Sequence, residues 1–121
     1  MFLKTRKLWL VTLAALQSDR VYRLVQRWDR DDRWGTGQQW IRSTDSIGAN
    51  ITEGCGRHHP KDALNFFYMA RGSLDEALNW LRLARDRKLL DPIEFGQLLT
   101  SYSRLSQGLI ALIATRRQKL K

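Results

Sequence analysis

Apolar residues recur along this chain at three- and four-residue steps, the spacing that lines one side of an α-helix. The longest series is Leu64, Phe67, Met69/Ala70, Leu74, Ala77/Leu78, Leu81 and Ala84, with Phe66 and Trp80 off its main stripe. A second, Phe95, Leu98, Tyr102, Leu105, Leu109 and Leu112, steps three, four, three, four, three, the seam of an antiparallel bundle or coiled coil. A third runs Trp40, Thr44, Ile47, Ile51, Cys55. The first in chain order is Leu10, Ala14, Val21, Leu24 and Trp28, interrupted by Gln17. No segment alternates with period two, and no repeat or low-complexity tract is present. The pattern predicts an all-α fold: helices over about residues 5–28, 34–55, 60–88 and 91–119, joined by short connections into an antiparallel up-down four-helix bundle.

The breaks carry their own chemistry. Asp29 to Arg33 is wholly charged, and Asp31 or Asp32 is placed to cap the second helix. Gly54-Cys55-Gly56 ends that helix, with either glycine suited to a left-handed cap. Arg57-His58-His59 forms a turn, and Pro60 fits the first position of the third helix, where a missing N–H costs nothing. Asp91-Pro92-Ile93-Glu94 reads as a capping box opening the fourth helix. Gly48 and Ala49 in mid-helix two are expected to face Gly72 and Ser73 in mid-helix three, letting the two backbones approach closely. Leu8, Val11 and Leu13 widen the apolar face of helix one, and Ile110 and Ile113 add an edge to helix four. Apolar residues on more than one face point to a contact beyond the bundle itself, and hence to self-association.

With 121 residues, the chain is read as one domain, 1–121, large enough to bury a core without disulfide or metal. Apolar residues make up 43% of it, which excludes wholesale disorder. Its 21 Lys and Arg against 12 Asp and Glu give a formal charge of +9, which favours an acidic partner: nucleic acid, an anionic surface or an acidic protein. Lys4, Arg6 and Lys7 before the apolar run Leu8 to Leu16 have the outline of a secretory leader. No small-x-small cleavage site follows, and the run is too short to span a bilayer, so it is read as half of a core helix with no membrane role. The lone cysteine, Cys55, excludes an internal disulfide and fits a reducing, cytoplasmic compartment.

No catalytic set is evident. Cys55, His58 and His59 hold half of a zinc pattern, but no second pair exists to complete four ligands, so neither metal nor other cofactor is expected. A cysteine–histidine nucleophile pair would need an orienting third group. Ser46, Asn50 and Glu53 are read as a buried hydrogen-bond set linking helices two and three, with Glu53 paired to Arg57 or Arg71 and Ser73 nearby. The candidates for phosphate contact are Arg42, Arg57, Lys61, Arg71, Arg82, Arg85, Arg87 and Lys88, with Arg116 and Arg117 of the basic C-terminal run. Trp34, Trp40 and Trp80 have the chemistry to stack on bases, although tryptophans at helical spacing belong more often to a core or an interface.

The block from Trp34 to Leu90 resembles the four-helix bundle proteins encoded in intervening sequences of bacterial 23S ribosomal RNA. The residues that carry the resemblance are Gly35, Gln39 and Arg42; then Ser46-Ile47-x-Ala49-Asn50-Ile51-x-Glu53-Gly54-x-Gly56-Arg57; then Phe67-Tyr68-x-Ala70-Arg71-Gly72-Ser73-Leu74-x-Glu76 and the run to Leu83-Ala84. The family usually has proline at the position of Gly48 and alanine–valine at that of Thr44-Asp45, and its helix-one tryptophan is displaced relative to Trp9. The resemblance implies a cytosolic, non-enzymatic bundle assembled as a cyclic homopentamer. It also implies a distant likeness to the accessory variability determinants of diversity-generating retroelements, basic pentamers that serve a reverse transcriptase and its RNA. Charge and resemblance together give the expected function: a self-associating bundle that binds nucleic acid, RNA in the first instance, through phosphate electrostatics. The alternatives are a protein-interaction module, such as an accessory subunit of a polymerase or reverse transcriptase, and a structural oligomer with no ligand.

Overall fold

The four apolar stripes become four long helices: α1 (Phe2–Gln26), α2 (Gln38–Cys55), α3 (Pro60–Asp86) and α4 (Pro92–Gln118). They are seen in a computed structural model that describes residues 2–120, with side chains from residue 7 to residue 120, and among the described residues there is no strand. Each helix packs against its neighbours in chain order, and α1 closes the ring against α4. The packing is antiparallel throughout. Leu10 near the start of α1 meets Gly108 late in α4, Ala14 meets Gly48, and Gly54 at the end of α2 meets Ala63 and Phe67 early in α3.

The stripes read from the sequence form the interior. Leu10, Ala14, Val21, Leu24 and Trp28 of the first series are buried, as are Trp40, Thr44, Ile47 and Ile51 of the third and Leu98 to Leu112 of the second. Gln17, which interrupts the first stripe, is buried too. Its Nε2 donates to the Leu13 carbonyl at 3.3 Å, while its Oε1 has no protein partner. In mid-core the Trp28 and Trp40 rings stack at 5.7 Å, and the Trp40 Nε1–H donates to the Tyr102 hydroxyl at 3.0 Å. That hydroxyl lies 2.7 Å from Thr44 Oγ1, so the polar atoms of the central layer satisfy one another. Burial pushes the Tyr102 phenol up to about 12.

The second helical segment begins earlier than its apolar pattern. Asp29, with extended backbone, precedes a single α-turn (Arg30–Asp32) and a π-turn (Arg33–Gly37) that run into α2 without a break. Asp31 and Asp32 therefore sit inside the first turn, where they face the positive end of the dipole, and neither is the cap. The π-turn lies against α1. A Cβ on Gly37 would stand 2.5 Å from Val25 Cγ1, so glycine is needed for the close approach. The wider turn also lets Gln38 Nε2 reach the Arg33 carbonyl at 3.2 Å.

The helix ends divide between confirmation and correction. The capping box is formed: Asp91 Oδ1 accepts from the Glu94 N–H at 2.7 Å, and Glu94 Oε1 accepts from the Asp91 N–H at 3.1 Å. Pro60 and Pro92 both stand at helix starts. Gly54 and Gly56, expected as left-handed caps, both keep negative φ. Gly54 is there for space instead, because a Cβ would come 2.4 Å from the Phe67 ring. The left-handed residue is Lys88 (φ 62°), which ends α3 with the Leu89 N–H on the Ala84 carbonyl and the Lys88 N–H on that of Arg85, the paired bonds of a Schellman motif. The expected meeting of Gly48 and Gly72 does not occur. A Cβ at Gly48 would stand 3.3 Å from that of Ala14 in α1, and one at Gly72 would meet nothing within 4 Å.

Candidate nucleic-acid interface

The bundle sorts the basic residues by its two ends. At the end where α1 begins and α4 finishes, Arg57, Lys61, Arg71 and Arg117 are all exposed. Three of them rest on aromatic rings that α3 presents in succession. Arg57 lies over Phe66 at 4.7 Å, and Arg71 and Arg117 both lie over Tyr68, at 5.3 and 5.4 Å. The Arg117 Nε–H also donates to the Tyr68 hydroxyl at 2.8 Å. Arginines stacked on rings are held in place while their N–H groups still face outward, which suits them to contact phosphates.

At the opposite end the candidates are Arg82, Arg85, Arg87 and Lys88, also exposed. Here acids are interleaved. Arg85 pairs with Asp86 at 3.0 Å and lies over Phe95 at 4.6 Å, and Arg27 pairs with Glu94. Arg87 donates to the Thr36 hydroxyl. Asp29, Asp31 and Asp91 are exposed close by in the same turns. This end is cross-linked and closer to neutral. Arg42 stands apart on α2, beside a shallow groove lined by Gln38, Asp45, Ser46 and Ala49.

Arg116 is not on the exposed surface that the sequence reading assumed. It is 6% exposed, with its guanidinium 5.9 Å from the centre of the Phe67 ring. No hydrogen bond or carboxylate pairs with it among the described residues. Lys7, which the phosphate candidates left out, stands beside it. Burial first, then Arg116 and Lys119, hold the Lys7 amine below the usual lysine range. Cys55, half-buried at the end of α2, completes the group. Burial pushes its thiol up, against an opposing pull from Lys7 and Arg116. Lys7 was legible in principle, since an up-down bundle of four helices brings both chain ends to the same face.

Ser46, Asn50 and Glu53 do not link helices two and three. Ser46 Oγ donates to the Arg42 carbonyl at 2.9 Å, and Asn50 Nδ2 to the Ser46 carbonyl at 2.9 Å. Glu53 is exposed and pairs with Arg57 at 3.3 Å, one turn along its own helix. All three bond locally. Glu53 lines a groove of about 460 Å³ with Val11, Ala15 and Ser18 of α1 and Gly48, Ala49 and Thr52 of α2. Ser73 is half-buried on α3. Of the tryptophans, Trp40 is fully buried, Trp80 is half-buried with its indole N–H unpartnered, and Trp34 is 65% exposed, free to stack. His58 and His59 are both exposed, and no metal-holding cluster of three occurs among the described residues.

A second surface is apolar. On α1, Leu8, Trp9, Leu16 and Tyr22 are all about half exposed or more, and Ile110 on α4 is 59% exposed, while Ile113 is buried. No helix among the described residues is long and apolar enough to cross a membrane.

Among proteins of known structure, the fold is similar to that of a protein of unknown function from the S23 ribosomal protein family of Bacteroides thetaiotaomicron. The TM-score is 0.84 at 20% identity, over 90% of this chain and 98% of that one. No curated protein matches the chain. The sequence profile of the 23S rRNA-intervening sequence proteins matches residues 6–111, spanning all four helices and the signature string around Asn50 and Glu53, and the chain belongs to that family.

Proposed function

We propose that this protein is a non-enzymatic helical bundle that binds nucleic acid, RNA in the first instance, through phosphate electrostatics. The observation that carries the reading is the gathering of Arg57, Arg71 and Arg117 on the rings of Phe66 and Tyr68, beside Lys61, at the bundle end with fewer acids. Rings of this kind fix guanidinium planes without neutralising them, and of the three arginines Arg57 alone also meets a carboxylate among the described residues, that of Glu53. The formal charge of +9 adds long-range attraction for a polyanion. Exposed Trp34 lies away from this end, and Trp9, 48% exposed near the start of α1, belongs to the apolar face, so the reading rests on phosphate contacts and not on base stacking.

The protein would act as a cyclic homo-oligomer in the cytoplasm. Self-association is supported by the exposed apolar face of α1 and by Ile110. The number five rests on the family resemblance alone. A ring would repeat the arginine cluster with its symmetry and bind a polyanion multivalently.

The test is a titration with single- and double-stranded RNA and DNA at several salt concentrations. The expected result is submicromolar binding at low salt, with log affinity falling linearly in log salt. Absence of binding at low salt overturns it. The second reading, an interaction module serving a nucleic-acid enzyme, is favoured by the groove between α1 and α2, and its mark is tight protein binding with weak, salt-labile RNA affinity.

A further inference from the structure

Among the described residues, none supplies the guanidinium of Arg116 with a counter-charge. The residue is only 6% exposed, yet none of its nitrogens is both sealed from solvent and unbonded, so the stem is buried and the charged head just reaches the surface, where an anion can meet it. Among the described residues, no carboxylate or hydrogen-bond acceptor is paired with Arg116, and no carboxylate with Lys7 or Lys119. The Phe67 face and the negative end of the α4 dipole offset only part of the Arg116 charge.

The surroundings make the deficit larger. Leu10 packs on Gly108, so the antiparallel pairing of α1 and α4 carries Lys7, one turn earlier, toward the last turn of α4. Lys119 follows Arg116 by one turn and its backbone N–H bonds the Arg116 carbonyl at 3.2 Å. Gly54 lies against the same Phe67 ring that carries Arg116, which sets Cys55 next to the group. Three cations and a thiol thus share the end of the bundle, and each of Lys7 and Cys55 feels the charge of Arg116.

We infer that Arg116, Lys7 and Lys119 form a binding site for one phosphate group, with Arg116 as its buried anchor and the two lysines at its mouth. A guanidinium held rigidly on a ring presents paired N–H donors to a tetrahedral oxyanion, and two flexible ammonium groups complete the charge. The same chemistry would accept a free phosphate ion or a phosphodiester of a nucleic-acid backbone. The site stands whether or not the exposed arginines bind RNA.

Cys55 is the chain's only cysteine and serves as a built-in reporter. Its alkylation by iodoacetamide is followed by intact mass on the full-length protein, in inorganic phosphate and in sodium chloride of equal ionic strength. An anion on Arg116 removes the positive field that favours the thiolate and covers the sulfur, so alkylation slows. The expected result is a saturable slowing of several-fold in phosphate, absent in chloride and lost in Arg116→Gln. Lys119→Gln, at an exposed position, weakens the response without disturbing the core. Circular dichroism confirms that both variants fold, and if Arg116→Gln does not, Lys119→Gln alone decides. Identical rates in phosphate and chloride, or a phosphate effect unchanged by the substitutions, overturn the site. A second arm adds a short single-stranded RNA. Protection by RNA that competes with phosphate makes the site part of a nucleic-acid path, whereas protection by phosphate alone makes it a small-anion site separate from any such path.

Discussion

The hydroxyls of Thr44 and Tyr102 lie 2.7 Å apart in the centre of the bundle, and the Trp40 indole donates to the same phenol oxygen. Two helical stripes, those of α2 and α4, are thereby joined through one oxygen atom. Tyr102→Phe strands the Trp40 N–H, and it should cost about 1–3 kcal/mol, the usual penalty for a buried donor left unmade. Thr44→Val should cost about 1 kcal/mol, since Trp40 keeps its acceptor. The phenol is protonated more tightly in the folded state than in the unfolded chain. Stability from this group is therefore complete below about pH 10 and is lost as pH rises toward 12, an effect on the order of 2–3 kcal/mol. Denaturant unfolding from pH 9 to 12 should show that loss in the wild type and a flatter profile in Tyr102→Phe.

Gly54→Ala places a methyl 2.4 Å from the Phe67 ring. Overpacking of that kind costs about 1–3 kcal/mol, partly offset by the ~1 kcal/mol that alanine gains over glycine in a helix. A net loss near 1 kcal/mol is expected in the denaturation midpoint. Gly56→Ala, where the added Cβ meets only ordinary contacts, should change it by less than about 0.5 kcal/mol.

Lys88 holds the left-handed position that closes α3. Lys88→Gly should stabilise the protein by roughly 0.5–1 kcal/mol, because glycine adopts that backbone without the Cβ penalty. A lower melting temperature would contradict the Schellman assignment.

The two ends of the bundle should contribute unequally to nucleic-acid affinity. Arg71→Gln and Arg117→Gln should each weaken binding for all sequences alike and lower the salt slope by about one, and Arg57→Gln by less, because Glu53 already shares its charge. Arg85→Gln and Arg87→Gln should have smaller effects, because Asp86, Asp91 and Glu94 share their surroundings. Equal losses at both ends would remove the assignment of the interface to one of them.

Leu16→Glu introduces a charge into the exposed apolar face of α1 without touching the core. Sedimentation should show the wild type as an oligomer and the variant as a smaller species with the same helical content.

Much of the fold was legible because the stripes are long and strict. Trp40, Thr44, Ile47 and Ile51 are buried as their spacing requires, and the capping box at Asp91 and Glu94 is formed as written. The π-turn was not legible. A five-residue widening leaves no periodic signature, and Gly35 and Gly37 only blurred where the helix begins. Ser46, Asn50 and Glu53 were read as a buried set because polar residues recurring one turn apart suggest a network. The stripe itself argues otherwise: Glu53 lies about 200° from Ile51 around the helix, on the outer side. Arg116 was hidden for the opposite reason. A terminal basic run suggests a solvated arm, and only the packing of Phe67 and Gly54 shows that one of its members turns inward.

The end of the bundle that carries Trp28 bonded to Leu89, Arg27 paired with Glu94 and Arg87 bonded to Thr36 ties every connection to a neighbouring helix. The other end is held by ring-stacked cations that repel one another, with the Arg117–Tyr68 hydrogen bond and the Arg57–Glu53 pair as its polar ties. Fluctuations should therefore be directional: amide hydrogens near Cys55 and the last turn of α4 exchange first, and opening spreads from there toward Trp28. An anion arriving at that end would act as a clasp, slowing exchange where the molecule is loosest and leaving the stitched end unchanged.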